Sequence, residues 1–363
     1  MHSGLRYVCK TQDSVATCNI VIKHDSSGPD WEVKLVQKFL AQFLHRTRLV
    51  ILFALIFGLL SQFTPCWANP SAFTDMDLTD QFVIADGVKL HFVVRGSGQP
   101  IVLLHGNDGS LQDFTMSIFG DLSEHYKTIA FDRPGHGKSE TPKHLVATPE
   151  VQARLLHTAL QQLGVVHPLL VAHSWSGSLA LSYALQFPHD LSGIVMLGAM
   201  AYETKKFNAK SAYYAMQAPV LSKMLAVLYM ATGRHRIERQ LDEAFSPDIA
   251  PPRYKEKFLS LMFRISQLKA AASDEITINP CLRQMSSDYS KINLPVVIVA
   301  GDQDRTVPPL QHSYPLHKAI ANSQLIVIHN AGHELQFTRQ AEVMTAINLA
   351  LQTVVRGPTV AKL

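Results

Sequence analysis

The sequence predicts an α/β fold in which a mostly parallel sheet of about eight strands is covered by helices on both faces. Short apolar runs alternate with helical patterns along most of the chain after residue 80. Most of these runs are apolar throughout, which is typical of strands whose two faces are both buried. Between Gly198 and Asn293 the alternation stops and helical patterns follow one another. This predicts a helical cap, at about residues 200–290, inserted after the sixth strand.

The first two predicted strands form a hairpin at one edge of the sheet. Gln81–Ala85 and Lys89–Val94 alternate apolar and polar residues, and the Asp86-Gly87 pair between them is a typical two-residue hairpin turn. We therefore expect these two strands to be antiparallel and to lie beside the parallel part of the sheet.

Helical patterns separate the remaining strands. Pro149–Leu163 is predicted to be a helix that ends at Gly164, Leu179–Phe187 a second helix, and Glu342–Val355 the last one. This order predicts one domain over residues 69–363 with an insertion. The remaining predicted strands are Ile101–Leu104, Lys127–Phe131, Leu169–Ala172, Leu191–Leu197, Pro295–Ala300 and Leu325–Ile328.

The predicted cap is rich in aromatic residues and methionine. We interpret most of them as packing residues that hold the cap against the core, and a role in lining a binding site is the alternative interpretation. These residues are Tyr202, Tyr213, Tyr214, Met216, Met224, Tyr229, Met230, Phe258, Met262 and Phe263.

The segment before residue 69 has the pattern of a secretory signal peptide. Residues 49–60 form an apolar run behind a basic segment, and the small-x-small ending Cys66-Trp67-Ala68 follows. We predict cleavage after Ala68 and a periplasmic or secreted protein. An uncleaved membrane anchor is the alternative, although the run is shorter than the roughly 20 residues that span a bilayer.

Residues 1–44 precede the basic segment with which a signal peptide begins. Our hypothesis is that translation starts after them, and a real amphipathic segment is the competing interpretation. A peptide from residues 1–32 detected in the native organism would contradict the hypothesis.

Composition argues against a nucleic-acid-binding surface. The 363-residue chain has a formal net charge of +4, and residues 69–363 hold 26 Lys and Arg against 25 Asp and Glu. The sequence has no dense basic patch. A hydrophobic content of 47% is sufficient for a large core. Because Cys281 is the one cysteine after residue 68, the domain depends on that core rather than on a disulfide.

The segment around Ser174 is the centre of the predicted site. The strand Leu169–Ala172 precedes it and a helical pattern follows, so Ser174 lies where a strand turns sharply into a helix. Such a turn requires small residues two positions before and after the serine, and Ala172 and Ser176 meet this requirement. We predict that Ser174 is a nucleophile at the carboxyl edge of the sheet.

A serine hydroxyl needs a base that accepts its proton and a third group that orients the base. His333 follows the last predicted strand, and the carboxylates Asp302 and Asp304 follow the strand before it. All three therefore reach the sheet edge at which Ser174 lies. Serine, aspartate and histidine in this chain order are a known arrangement of a catalytic triad.

The loop after the first parallel strand offers donors for an oxyanion. His105-Gly106-Asn107 follows Ile101–Leu104 directly, and its glycine lets main-chain N–H groups face the site. We predict that the N–H of Asn107 and that of Trp175 form the oxyanion hole.

Together these motifs resemble the α/β-hydrolase fold superfamily over nearly all of residues 80–355, as a serine esterase-like or lipase-like member with a helical cap. The resemblance implies that Asp304, three residues after the glycine that ends its strand, is the acid. Asp302 is then a turn-stabilising or solvated carboxylate, and His105 and His136 shape their loops. The matching segments are His105-Gly106, Asp132-Arg133-Pro134-Gly135-His136-Gly137-Lys138-Ser139, the turn around Ser174, Gly301–Asp304 with Val307-Pro308, and Gly332-His333.

Two features at the turn bear on the chemistry. The family usually has glycine at both small positions, whereas this chain has Ala172 and Ser176, so Ser176 is a candidate for lining the site. The nucleophile is serine, whereas relatives that hydrolyse haloalkanes or epoxides carry aspartate there. Serine indicates acyl transfer.

We therefore predict a serine hydrolase that cleaves an uncharged or apolar small-molecule carboxylic ester. No cofactor is expected. No metal is expected either, because Gly332-His333-Glu334 lacks the second histidine of a zinc-binding helix. The same triad would serve hydrolysis of amides, lactones or carbon–carbon bonds, or a perhydrolase activity. A non-catalytic ligand-binding protein of the same fold is the alternative from a different class. The sequence leaves the substrate and the oligomeric state open.

Overall fold

The computed structural model describes residues 78–143, 146–204 and 233–356. Its strands are β1 (Gln81–Ala85), β2 (Val88–Arg95), β3 (Pro100–Leu104), β4 (Lys127–Phe131), β5 (Leu169–His173), β6 (Gly193–Leu197), β7 (Val296–Gly301) and β8 (Ser323–Ile328). They form one sheet in the order β1-β2-β4-β3-β5-β6-β7-β8. The pairs β1–β2 and β2–β4 are antiparallel, and the other pairs are parallel. The predicted fold class is confirmed.

From β3 onward, helices alternate with the strands. In chain order they are α1 (Gln112–Thr115), α2 (Phe119–His125), α3 (Pro149–Gln162), α4 (Ser176–Gln186), α5 (Arg234–Phe245), α6 (Pro252–Met262), α7 (Ile265–Met285), α8 (Ser313–Ala319), α9 (Leu335–Thr338) and α10 (Gln340–Arg356). A 3₁₀ helix, Ser286–Lys291, follows α7.

Both faces of the central parallel strands β3, β5, β6 and β7 are buried. Neighbouring side chains of one strand belong to two separate apolar clusters, because successive side chains of a strand point to opposite faces. Leu104 and Leu170 pack with α3, α4 and α7 on one side. Leu103 and Val171 pack with α2 and α10 on the other. This double burial explains why these central strands have no polar face, whereas β8 at the edge is partly exposed.

The hairpin has the turn that its sequence predicts. Asp86 and Gly87 both adopt positive φ, at 48° and 78°, which is the conformation that favours the Asp-Gly pair in two-residue hairpins. In β1 the side chains of Val83 and Ala85 are buried, whereas that of Ile84 between them is exposed.

β6 begins two residues later than the sequence predicts. Leu191 is buried, but β6 starts at Gly193, because the N–H of Ser192 bonds the carbonyl of Pro168 outside the strand ladder. The apolar pattern therefore reports burial at Leu191 rather than strand pairing.

The described part of the insertion after β6 is helical. Phe258 packs against an apolar cluster that also contacts Phe337, and Met262 packs with Ile237 and Leu259, in agreement with the packing interpretation. The arrangement of the whole cap stays a prediction. Six of the residues named for it lie outside the described residues: Tyr213, Tyr214, Met216, Met224, Tyr229 and Met230.

The predicted signal peptide and its cleavage after Ala68 also lie outside the described residues. No helix in the described ranges combines the length and the apolar character that crossing a membrane requires. Cys281 is a free, half-buried thiol, and burial raises its pKa to about 12, so it is a poor nucleophile.

Candidate active site

The three residues of the predicted triad lie at one edge of the sheet, each just after the end of a strand. Ser174 follows β5, Asp304 follows β7 and His333 follows β8. These strands are parallel and lie within the consecutive order β5-β6-β7-β8, so their carboxyl ends share one edge. In sheets of this kind the carboxyl edge is the usual place of the ligand site.

Ser174 occupies a strained turn between β5 and α4. Its φ is +54°, a left-handed conformation that few residues other than glycine adopt. The turn is held by hydrogen bonds from the N–H of Ser174 to the Leu197 carbonyl, at 3.0 Å, and from the Met200 N–H to the Ser174 carbonyl, at 2.9 Å. Ala172 and Ser176 are fully buried beside it. This is the strand-to-helix turn that the small residues predict.

Asp304 and His333 form a buried hydrogen-bonded pair. Nδ1 of His333 lies 2.7 Å from Oδ2 of Asp304. The other oxygen, Oδ1, accepts hydrogen bonds from the main-chain N–H groups of Thr306 and Val307, at 2.9 and 2.8 Å. Both side chains are almost fully buried. Because the carboxylate accepts bonds from three donors, it has a fixed orientation and fixes that of the imidazole.

The protonation of His333 follows from these contacts. Burial alone acts to lower the pKa of His333, but the charge of Asp304 and its hydrogen bond outweigh this effect, so the pKa is raised. The proton shared with Asp304 lies on Nδ1. In the neutral imidazole Nε2 is therefore the basic nitrogen.

Two contacts place His333 beside the Ser174 turn. The ring of His173, the residue before the serine, lies 4.7 Å from the His333 ring between centroids. Gly198, which follows the residue that binds the Ser174 N–H, lies against Asp304 and His333. In the described residues no hydrogen bond joins the Ser174 hydroxyl to His333. Such bonds are often long in unliganded enzymes and shorten when substrate binds.

The loop after β3 passes directly beside the serine. A Cβ at Gly106 would lie 3.1 Å from Cβ and 3.5 Å from Oγ of Ser174. Within the described ranges, no hydrogen bond is donated by the main-chain N–H of Asn107 or of Trp175. The two predicted oxyanion donors are therefore free to bind a ligand atom.

Two acidic residues that the sequence analysis did not identify are close to Asn107: Asp108 is the next residue of this loop, and Glu275 contacts the loop from α7. Oε1 of Glu275, in α7, accepts a hydrogen bond from Nδ2 of Asn107 at 3.0 Å. Burial, with the charges of Asp108 and Asp274, raises the pKa of Glu275 to about 7. Burial, with the charge of Asp274, raises the pKa of Asp108 to about 6. The sequence contained one signal for Glu275, which is the adjacent acidic pair Asp274-Glu275 in an otherwise weakly charged helix.

The other residues named from the sequence lie outside the triad. Asp302 pairs with Nδ1 of His329 at 2.6 Å and is partly exposed, as a turn carboxylate would be. Ser176 is fully buried, and its hydroxyl donates to the His105 carbonyl, so it does not line the site. His105 and His136 are held in a buried hydrogen-bond network with Arg133.

One group of described side chains has the chemistry of metal ligands. His173, His333 and Glu334 are buried, and one ligand atom of each lies within 4.8 Å of the others. His333 is already bound to Asp304, and Oε2 of Glu334 accepts a hydrogen bond from Gln336 at 2.7 Å. Since protein partners hold two of the three side chains, we assign this group no metal-binding role.

Comparisons with known proteins agree with this architecture. Lipase 3 of Moraxella sp. is 22% identical to this chain over 254 residues, which are 69% of this chain and 77% of that protein. A 2-hydroxy-6-oxo-2,4-heptadienoate hydrolase of Pseudomonas putida is 26% identical over 270 residues, which are 74% of this chain and 94% of that protein. The structure of an esterase from Exiguobacterium antarcticum matches with a TM-score of 0.62 at 23% identity, over 75% of this chain and 100% of that one.

The family comparison covers most of the domain. The model of the alpha/beta hydrolase fold matches residues 99–340, which include all strands from β3 to β8 and every residue of the candidate site. The chain belongs to the alpha/beta hydrolase fold family.

Proposed function

We propose that this hydrolase cleaves a carboxylic ester through a Ser-His-Asp acyl-enzyme mechanism. The observation that carries the proposal is the 2.7 Å pairing of Asp304 with His333 at the sheet edge where Ser174 occupies its strained turn. Nucleophile, base and acid each come from a separate strand end. A lone serine or histidine would not support this function.

The mechanism follows from the roles of these groups. Oγ of Ser174 attacks the ester carbonyl, and Nε2 of His333 accepts its proton while Asp304 stabilises the imidazolium. The N–H groups of Asn107 and Trp175 donate to the oxyanion of the tetrahedral intermediate. When the intermediate collapses, His333 protonates the departing alcohol. A water molecule, deprotonated by His333, then attacks the acyl-enzyme and releases the acid and free Ser174.

The substrate that we propose is uncharged. Asp108 is part of the loop that carries Asn107, residues 105–109, which we call the oxyanion loop, and Glu275 lies beside it. Above pH 7 both carry negative charge. Two carboxylates at this place would repel an anionic substrate. The lipase among the relatives also favours an ester.

Hydrolysis of a carbon–carbon bond is the second candidate. It is favoured by the similarity to the 2-hydroxy-6-oxo-2,4-heptadienoate hydrolase, which spans 94% of that protein. The substrate in that name is a carboxylate, so the acidic groups beside Asn107 argue against it here. A non-catalytic binding protein is less well supported, because this chain has all three triad residues.

The location of the protein is part of the proposal. We infer from the signal-peptide pattern before Asn69 that the enzyme is periplasmic or secreted, with an uncleaved anchor as the alternative. Sequencing the N-terminus of the protein purified from its native host tests this. An N-terminus at Asn69 supports export with cleavage, and an N-terminus before residue 49 contradicts it.

The activity is tested with a fluorophosphonate probe on residues 69–363, Ser174→Ala and the control Ser182→Ala. Ser182 is a buried serine of α4, the helix that follows Ser174, and its hydroxyl accepts a bond from Gln186. We expect the wild type and Ser182→Ala to be labelled and Ser174→Ala to remain unlabelled. A folded wild type that is not labelled contradicts the proposal.

The substrate class is tested on the same proteins with p-nitrophenyl esters of increasing acyl length and with a 2-hydroxy-6-oxodienoate. Ester turnover that disappears in Ser174→Ala supports the esterase. Faster turnover of the dienoate than of every ester favours the carbon–carbon hydrolase instead.

A further inference from the structure

Arg133 is a buried charge that the proposed mechanism does not use. Its side chain is 1% exposed and makes all its hydrogen bonds inside the protein. Nε donates to the carbonyl oxygen of His105 at 3.1 Å, and Nη2 donates to that of Gly106 at 2.8 Å. Nη1 donates to Gln152 at 3.1 Å. One guanidinium thus binds two consecutive carbonyl groups of the loop beside Ser174.

The bond to the Gly106 carbonyl also affects the N–H of Asn107, because both groups belong to the same peptide unit. The carbonyl of Gly106 and the N–H of Asn107 belong to one planar peptide unit and point in opposite directions. A donor that holds the carbonyl therefore fixes the direction of the N–H. A positive donor also polarises the peptide and makes the N–H a stronger donor, especially where water is excluded.

His105 adds a second donor to the same oxygen. The main-chain N–H of Arg133 donates to Nε2 of His105 at 3.0 Å, so Nε2 carries no proton. The proton of the ring is therefore on Nδ1, which lies 2.8 Å from the Gly106 oxygen. Burial, with the nearby charge of Arg133, lowers the pKa of His105 well below its usual value and keeps the ring neutral.

The same guanidinium contacts the segment that provides the other predicted oxyanion donor. Its central carbon lies 4.3 Å from the centre of the Trp175 ring. The indole N–H of Trp175 donates to the carbonyl of Asp274 at 3.3 Å. Arg133 therefore lies between the loop of Asn107 and the side chain of Trp175.

Asp274 compensates the charge of Arg133 and comes from a distant part of the chain. Its Oδ2 lies 2.7 Å from Nη2 of Arg133 and 3.0 Å from Nε2 of His136, and the carboxylate is almost fully buried. Although burial acts to raise the pKa of Asp274, Arg133 and His136 outweigh it and the pKa is lowered. The ion pair thus joins α7 of the insertion to the oxyanion loop.

We propose that Arg133 is a positioning residue of the oxyanion hole: it orients and polarises the Gly106–Asn107 peptide, and Asp274 of α7 holds it in place. This inference rests on the proposed function, because an oxyanion hole has a role only in acyl transfer or related chemistry. Arg133 does not touch the substrate. Its effect is exerted in the transition state, when negative charge develops on the carbonyl oxygen.

The test compares Arg133→Gln, Arg133→Lys and Asp274→Asn with Tyr183→Phe as the matched control. Tyr183 is a buried residue whose hydroxyl bonds His157, so this control loses a partly buried hydrogen bond but leaves the loop intact. Three quantities are measured: kcat, KM, and the inhibition constant of a neutral trifluoromethyl ketone, which forms an oxyanion adduct with the serine. Thermal unfolding and circular dichroism report the fold of each variant.

For Arg133→Gln we expect kcat to fall about 10- to 100-fold, because misdirected donors stabilise the oxyanion less. The inhibition constant of the ketone should rise by the same factor, with KM nearly unchanged. The fall in kcat should be smaller for Arg133→Lys, because lysine keeps the positive charge. The rate should still be below that of the wild type, because lysine reaches fewer acceptors than arginine. Asp274→Asn should also raise the inhibition constant of the ketone. Tyr183→Phe should lower the melting temperature but leave kcat and the inhibition constant of the ketone unchanged.

Unchanged kcat and ketone binding in a folded Arg133→Gln variant would overturn the proposal, as would a change in KM alone. If Arg133→Gln fails to fold, the folded Arg133→Lys variant decides by the same criteria. A wild type that reacts with neither probe nor ester overturns the proposed function and this inference with it. A reactive wild type with equally reactive Arg133 variants overturns the inference alone.

Discussion

The hydroxyl of Ser176 donates a hydrogen bond to the main-chain carbonyl of His105, and both residues are fully buried. The bond connects the first turn of α4 to the loop that carries Asn107. At the position where the family usually has glycine, this chain therefore has a side chain that ties the serine turn to the proposed oxyanion loop.

Replacing Ser176 with alanine should cost about 1 kcal/mol of unfolding free energy, because the His105 carbonyl keeps its bond from Arg133. Chemical denaturation measures this loss. Fluorophosphonate labelling should persist, since the hydroxyl does not face the site. Loss of labelling in a folded Ser176→Ala variant would place Ser176 in the chemistry and contradict its purely structural role.

Gly198→Ala should impair catalysis more than stability. Gly198 has a φ of +49°, and a Cβ there would lie 3.1 Å from both Oδ2 of Asp304 and Nδ1 of His333. The left-handed conformation costs an alanine about 1–2 kcal/mol, and the methyl group would also press on the Asp304–His333 pair. We expect kcat to fall at least about 10-fold, because displaced catalytic groups react slowly.

Gly164→Ala is the matched control for this experiment. Gly164 also has a positive φ, 62°, but a Cβ there would meet no atom within 4 Å. This variant should lose stability and keep its kcat. Equal kcat values for the two variants would show that Gly198 has no special relation to the triad.

Asp304→Asn should change both the rate and its pH dependence. The negative charge of Asp304 raises the pKa of His333, and the enzyme needs neutral His333, so activity falls as pH decreases through that pKa. Removing the charge lowers the pKa of His333, and the acidic limb of kcat/KM should move to lower pH. The rate itself should fall by roughly 10⁴-fold, as in other triads with this substitution. An acidic limb that does not move would contradict the role of Asp304.

Glu275→Gln should remove a pH-dependent loss of stability. In the folded protein the pKa of Glu275 is raised from 4.5 to about 7, so the unfolded chain releases this proton at lower pH than the folded one. Stability therefore falls as pH rises from about 4.5 to about 7. The melting temperature of Glu275→Gln relative to wild type should increase across this interval.

Asp108→Asn should show a similar pH-dependent gain in melting temperature relative to wild type, but at lower pH. The pKa of Asp108 is raised from 3.8 to about 6, so its relative gain in melting temperature should occur between about pH 4 and pH 6, below that of Glu275→Gln. Thermal unfolding of the three proteins between pH 4 and pH 8 measures both. Curves that stay parallel to wild type over this range would contradict the raised pKa values of these two carboxyl groups.

The sequence by itself determined the fold and the positions of the candidate triad. Strand and helix periodicity are local properties, so the apolar runs predicted a parallel sheet with small errors at the ends, as at Leu191. The order of Ser174, Asp304 and His333 along the chain, each after its own strand, was enough to place them at one edge. Topology alone brings the ends of parallel neighbouring strands together.

Only the tertiary structure decided which side chains support that site. Arg133 is 141 residues from Asp274, and Asn107 is 168 residues from Glu275. No local pattern encodes these pairs, because they form only when α7 packs against the loops at the sheet edge. The charges of Asp274 and Glu275 were visible in the sequence, but the shifts of their pKa values depend on that long-range contact. The hold of Arg133 on the oxyanion loop depends on the same contact, because Asp274 pairs with Arg133.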